Sequence, residues 1–242
     1  MIRAGSGLWR LNARAALRDS KGRKFGETSK AIRTNLATTP TWTDTGTNWQ
    51  TSNNSLYVRT QVIDPTCPAG VGYVRFDCVS STTAASAYGV GHLWSNSGEG
   101  VITVPSGNTY MVSIFVHHNG YPLRSRLSFN VYDAAGANLQ GPTYSSWFTD
   151  ADALPAGGGW GRLYGTFTTT SAGTLRVGFS SGRIDGGGAA GHAVSITGAL
   201  VEAGTELLPY FSGDFCPDDK HTAAFVGSSR GGSTLTRIGA AW

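Results

Sequence analysis

From about residue 54 onward, apolar and polar positions alternate with a period of two, in short runs separated by turn residues. The run TYMVSIFVHH (109–118) sets Tyr110, Val112, Ile114 and Val116 on one face and Met111, Ser113, Phe115 and His117 on the other. RLSFNVYD (126–133) alternates more strictly, with Leu127, Phe129 and Val131 against Arg126, Ser128, Asn130 and Tyr132. SLYVRTQVI (55–63), GYVRFDCV (72–79), GVITV (100–104), WGRLYGTFTT (160–169), TLRVGFSS (174–181) and AVSITGALVE (193–202) bring the series to eight runs. Turn signals such as Pro105-Ser106-Gly107-Asn108 and Asp133-Ala134-Ala135-Gly136 close them. With no long helical stripe among these runs, the pattern predicts an all-β fold, a two-sheet antiparallel sandwich whose inner faces pack together. Residues 34–53 and 141–159 read as long loops, and loops of that size in a sandwich bind something or cover an edge.

Composition agrees. Of 242 residues 34 are glycine, and only 14 % are charged, against about 25 % in a typical soluble domain. The Glu and Lys pairs of helix surfaces are missing, which excludes a helical bundle and a doubly wound α/β enzyme. No apolar run reaches the roughly 18 residues of a membrane span. The basic N-terminal stretch lacks the apolar core of a secretory signal.

Charge divides the chain. Residues 1–40 hold nine basic side chains against Asp19 and Glu27, a net +7, whereas the remainder carries −3. Residues 1–32 therefore read as a basic arm that orders on docking, with Trp9, Arg10, Leu11 and Arg14 as its anchor, an aromatic ringed by arginines. The other domain boundaries place the sandwich at 33–212 and a C-terminal extension at 213–242.

Candidate chemistry is sparse. None of the five histidines sits in H-E-x-x-H, and no G-x-S-x-G string stands at the strand-to-helix elbow that the nucleophile motif requires. The pair His117-His118 cannot chelate one metal from a regular strand, because neighbours point to opposite faces; one half-buried and one exposed histidine are expected. Asp150 and Asp152 could start a calcium loop but lack a third acid nearby. Cys67, Cys78 and Cys216 show no zinc spacing; Cys67 and Cys78 either pair across a hairpin or remain small buried thiols. No enzyme, metal or cofactor is expected. The aromatics are the stronger signal. Trp42, Trp49, Trp94 and Trp147 stand in polar, loop-like text, where an indole is a platform for a sugar ring or a staple for the loop. His117, Arg126 and Asn130, with Ser113 and Ser128, are the polar partners such a site would use. Arg162, beside Trp160, reads as structural.

Several strings resemble a known pattern. Arg33-Thr34-Asn35-Leu36 opens it, and Tyr110–Val116 and Trp160-Gly161-Arg162-Leu163 are similar to strands of jelly-roll carbohydrate-binding modules. Ile196–Gly204 followed by Pro209-Tyr210-Phe211-Ser212-Gly213-Asp214 resembles the ending of minor tail proteins of tailed actinobacterial phages, and Phe225-Val226-Gly227 and Ser233-Thr234 are similar to its continuation. Ser212 departs from the aspartate usual in that ending. The resemblance implies a jelly roll in a non-enzymatic virion protein, a minor tail or fibre-like component made in the host cytoplasm. Its partners would be other virion proteins of tail or capsid, further copies in a homo-oligomer, and a host surface glycan. A capsid decoration protein and a soluble carbohydrate-binding module are the alternatives. Glu202 and Glu206 take structural roles in this reading. Neither a membrane nor nucleic acid is an expected partner.

Overall fold

The computed structural model describes residues 31–37, 57–80, 89–92, 102–121, 123–149, 159–183, 190–213, 215–219, 221–225 and 232–237. These residues form strands β1 (Ala31–Asn35), β2 (Tyr57–Ile63), β3 (Gly72–Cys78), β4 (Gly89–His92), β5 (Ile102–Val104), β6 (Thr109–His117), β7 (Leu123–Tyr132), β8 (Asn138–Tyr144), β9 (Phe148–Thr149), β10 (Gly161–Thr168), β11 (Gly173–Arg183), β12 (Ala193–Ala203), β13 (His221–Phe225) and β14 (Ser233–Arg237), with no helix among the described residues.

Strand order makes this a jelly roll. One sheet runs β10-β6-β12-β3-β2 and the other β4-β11-β7-β8, with β5 also on β11 and β9 also on β7. The chain changes sheet between β3 and β4, between β5 and β6, between β6 and β7, and at each step from β9 to β12. All pairings are antiparallel, and interleaving of this kind is the double Greek key of a jelly roll. The alternating apolar rows meet between the sheets: Val112, Ile114, Leu127, Phe129, Val131, Leu175, Val177, Ile196 and Val201 are all within 1 % of fully buried.

Two departures from the sequence reading have clear causes. Residues 141–159 are not wholly loop, since Asn138–Tyr144 and Phe148–Thr149 pair with β7. NLQGPTY lacks strand-like alternation because it is an edge strand, where Pro142 removes no essential ladder bond. His118 is buried rather than exposed: past the end of β6 its Nε2 lies 2.9 Å from Ser125 Oγ, with Phe148 edge-on. All three cysteines are free thiols, and Cys67 and Cys78 point their sulfurs at the carbonyls of Gly72 and Ser80.

A third sheet, β1-β14-β13, lies outside the sandwich, with β1 against β12. It explains why β12 is buried on both faces. Val194, Ile196, Ala199 and Val201 face the main core, while Leu200 joins Trp160, Tyr210, Phe211 and Leu235 in a second cluster. The face changes phase at a bulge, where Thr197 pairs with Phe115 but Leu200 pairs with Ser113. Gly198 makes that bulge possible, with φ +63° and the Phe115 ring 2.8 Å from where a Cβ would sit.

Polar side chains tie the third sheet down. Asn35 is fully buried and makes four hydrogen bonds: Nδ2 donates to the carbonyls of Ala199 and Phe211, and Oδ1 accepts from the amides of Ala37 and Val201. Arg33 holds Glu202 bidentately, at 2.9 and 2.5 Å, and stacks over Phe211. Arg162 donates to Ser113 Oγ and to the Leu208 carbonyl. Burial foremost, then the Arg33 charge, lowers its guanidinium to about 10, against the pull of Glu202 and Tyr210.

At the other end of the sandwich, the Tyr57 hydroxyl donates to the Ser181 carbonyl, and burial, then the neighbouring Cys78, pushes its pKa up to about 12. A raised pKa means the folded state favours the neutral phenol. Its contribution is complete below pH 10 and is lost as pH rises towards 12. Tyr57→Phe should therefore remove about 2–3 kcal/mol of the alkaline loss of stability over that window. The check is a comparison of urea midpoints of both proteins from pH 8 to 12. Arg162, lowered rather than raised, acts in the opposite sense over the same window but equally in both proteins, so the difference isolates Tyr57.

Candidate functional site

The outer face of the β4-β11-β7-β8 sheet is where exposed chemistry collects. Period-two geometry turns Arg124, Arg126, Ser128, Asn130 and Tyr132 of β7 outward, all half-buried, while the residues between them enter the core. Antiparallel register lays β11 alongside: Ser180 opposite Arg126, Arg176 opposite Asn130, Thr174 opposite Tyr132. On the other flank Tyr144 pairs with Ser128, Asn138 with Tyr132, and Thr149 with Arg124. Trp147 sits in the turn between β8 and β9.

Guanidinium groups and rings interleave on this face. Cζ of Arg124 is 4.4 Å and that of Arg126 4.5 Å from the Trp147 ring centre. Arg126 also lies 3.9 Å over Tyr144, and Arg176 lies 4.2 Å over Tyr132. The rings cover the Nε atoms of Arg126 and Arg176, which have no hydrogen-bond partner. Such stacking holds a guanidinium by its planar face and leaves the Nη donors at its rim for a ligand. Around these pairs stands a polar field of hydroxyls and amides, including Ser128, Asn130 and Asn138, with Asn138 Nδ2 3.4 Å from Asn130 Oδ1.

Of the residues singled out from the sequence, the structure brings Trp147, Arg126 and Asn130 together on this face, with Ser128. His117 is elsewhere. It lies on the outer side of the other sheet, stacked on Trp160 at 5.4 Å, with Nδ1 3.1 Å from Asn119 Oδ1. Ser113 is taken up by Arg162. Trp42, Trp49 and Trp94 lie outside the described residues, as do Asp150 and Asp152 and the arm residues Trp9, Arg10, Leu11 and Arg14. Sequence reasoning missed Arg124, Tyr144 and Arg176. Arg124 was within reach of the pattern, two positions before Arg126 on the same strand face; Arg176 needed the pairing of β11 with β7.

A groove of about 550 Å³ lies on the other side of the molecule, lined by Arg33, Thr34, Leu36, Glu202, Glu206 and Leu208. The charges of Arg33 and Glu202 are spent on each other there. No group of three or more potential metal ligands occurs among the described residues.

No protein-family model matches the chain, and no curated protein matches it. Among solved structures, the chain is similar to the CBM22-1 and GH10 modules of endo-1,4-beta-D-xylanase 10B from Clostridium thermocellum, complexed with xylohexaose. That match has 12 % identity over 74 % of this chain and 29 % of the other, with a TM-score of 0.42. The C-terminal family 22 carbohydrate-binding module of the same xylanase matches at 12 % identity over 71 % of this chain and 95 % of that module, with a TM-score of 0.43. The enzymatically active domain of bacteriophage CBA120 tailspike protein 4 matches at 8 % identity over 70 % of this chain and 21 % of that one, with a TM-score of 0.44. The chain thus spans less than a third of the xylanase modules and of the tailspike domain.

Proposed function

We propose that the chain is a non-catalytic glycan-binding protein that holds a polysaccharide on the outer face of the β4-β11-β7-β8 sheet. The observation that carries this reading is the clustering of Trp147, Tyr144 and Tyr132 with arginine, hydroxyl and amide side chains on one open sheet surface. Sugars present apolar C–H faces and a rim of hydroxyls, and rings set among hydrogen-bonding side chains answer both. Binding rather than hydrolysis is supported by the chemistry of the face, whose described side chains are donors and rings and not the carboxylate pair of a glycosidase.

Affinity electrophoresis of the full chain through gels carrying individual polysaccharides tests the reading. At least one polysaccharide should retard it, and Trp147→Ala should weaken that retention about tenfold while circular dichroism stays β-type. If no polysaccharide retards the chain, or if the alanine variant behaves like the wild type, the reading fails.

The setting we propose is a phage particle, with residues 1–32 as the docking arm and further copies of the chain as neighbours. Its support is the resemblance of the Tyr210-Phe211-Ser212-Gly213-Asp214 ending to minor tail proteins, together with the +7 arm beside a −3 remainder. Finding the polypeptide in purified virions, and losing it there when residues 1–30 are deleted, is the expected result.

A further inference from the structure

Charge on the two sheets is arranged differently. The six strands β4, β5, β7, β8, β9 and β11 contain four arginines, Arg124, Arg126, Arg176 and Arg183, and no Lys, Asp or Glu. The opposite sheet mixes signs, with Arg75 on Asp77 at 2.8 Å within it and Glu202 held by Arg33 of β1. Arg126 and Arg176 have no such partner: neither forms an ion pair or hydrogen bond with a described residue, and each is stacked on a ring. In a chain whose residues after 40 are net negative, these two guanidiniums carry positive charge with no paired acid among the described residues.

From this geometry we infer that the polysaccharide bound on the face is acidic, a polymer of sugars that carry carboxylates. The inference rests on the glycan-binding reading and specifies its ligand. A carboxylate matches the guanidinium fork bidentately, which a neutral sugar does not. Each of these arginines lies within 4.5 Å of a ring centre, so the anionic group and the stacked sugar face must belong to the same residue. A uronic acid has both; a polymer of glycerol phosphate has the anion without the ring. Arg126 and Arg176 are four strand positions and one strand apart, about 14 Å on sheet geometry. One monosaccharide cannot reach both, so the ligand is an oligomer lying along β7. Nucleic acid fits less well. The field around the arginines is short hydroxyl and amide side chains, Ser128, Asn130, Thr174 and Ser180, without the Lys and Arg track that a phosphate backbone demands.

The test is calorimetric titration of the full chain with five probes: oligogalacturonate, galacturonic acid monomer, neutral xylo-oligosaccharide, poly(glycerol phosphate) and oligo-dT. Oligogalacturonate should bind most tightly, far better than its monomer, and should weaken as salt is raised. Arg126→Gln and Arg176→Gln should each cost about tenfold or more in affinity, and Arg126→Lys should recover part of it. Thermal melts of the variants check that the fold is retained. If xylo-oligosaccharide binds equally well, Trp147→Ala abolishes binding and the glutamine variants do not change it, the acidic ligand is overturned while the glycan-binding reading stands. Equal or tighter binding of poly(glycerol phosphate) or oligo-dT also overturns the acidic sugar. If none of the glycans binds, the glycan-binding reading itself falls.

Discussion

Replacing Asn35 by alanine should destabilise the chain by about 3–5 kcal/mol, because one short side chain closes four hydrogen bonds in a dry region. Its amide nitrogen joins the carbonyl of Ala199, on β12, to that of Phe211. Its oxygen joins the amide of Val201, on the same strand, to that of Ala37. Asn35 is fully buried, so alanine leaves those backbone groups without partners and without water. Aspartate keeps the acceptor but replaces the amide donor by an oxygen facing two carbonyls, and should be no better. Urea unfolding of both variants measures the effect. A loss under 1 kcal/mol would show that water enters and replaces the side chain.

Glu202→Gln is expected to cost about 3 kcal/mol, for a different reason. Glu202 and Arg33 side chains are 8 % and 13 % exposed, and the carboxylate is the negative charge between two guanidiniums, those of Arg33 and Arg162. With glutamine in place, Arg33 and Arg162 face one another with less solvation and no counter-charge. The double variant Arg33→Gln/Glu202→Gln removes one positive charge as well, and should recover a good part of the loss. The interaction term of that double-mutant cycle, read from urea midpoints, separates the pair from the packing of Arg33 on Phe211. If Glu202→Gln alone is neutral, the ion pair contributes nothing to holding β1 against β12.

Both variants act where the recognisable strings of the sequence converge. Arg33 and Asn35 come from the opening string, Arg162 from the middle one, Glu202, Tyr210 and Phe211 from the ending, and they meet in one buried joint. The resemblance thus marked the residues that join the third sheet to the sandwich. Residues of the candidate face sit outside those strings, apart from their place in an alternating pattern. A joint of buried polar groups demands particular residues at particular positions, whereas a binding face demands only a chemistry spread over a surface.

The sequence by itself determined the class of the fold and the inward rows. Leu127, Phe129 and Val131, and Leu175, Val177 and Phe179, are alternating positions that have to face the core, because their burial is what holds a two-sheet body together. It also placed Arg126, Ser128 and Asn130 on the opposite side of β7, which follows from the same period of two. It could not show that β8 and β9 exist. Edge strands with one ladder and a mostly solvated surface need no alternation, and their turn-rich text reads as loop. Nor could it show that the Met111, Ser113 and Phe115 face of β6 is covered, since the elements that cover it come from both ends of the chain and meet only through long-range pairing of β1 with β14. The candidate site was decided the same way. Arg176 stands beside Asn130 and Tyr132 because β11 pairs with β7 across more than 40 residues of chain, and Trp147 reaches Arg124 and Arg126 because β9 folds back onto the start of β7. Register between distant strands is a property of the assembled sheet, set by where every inward row finds its space, and no local stretch of residues encodes it.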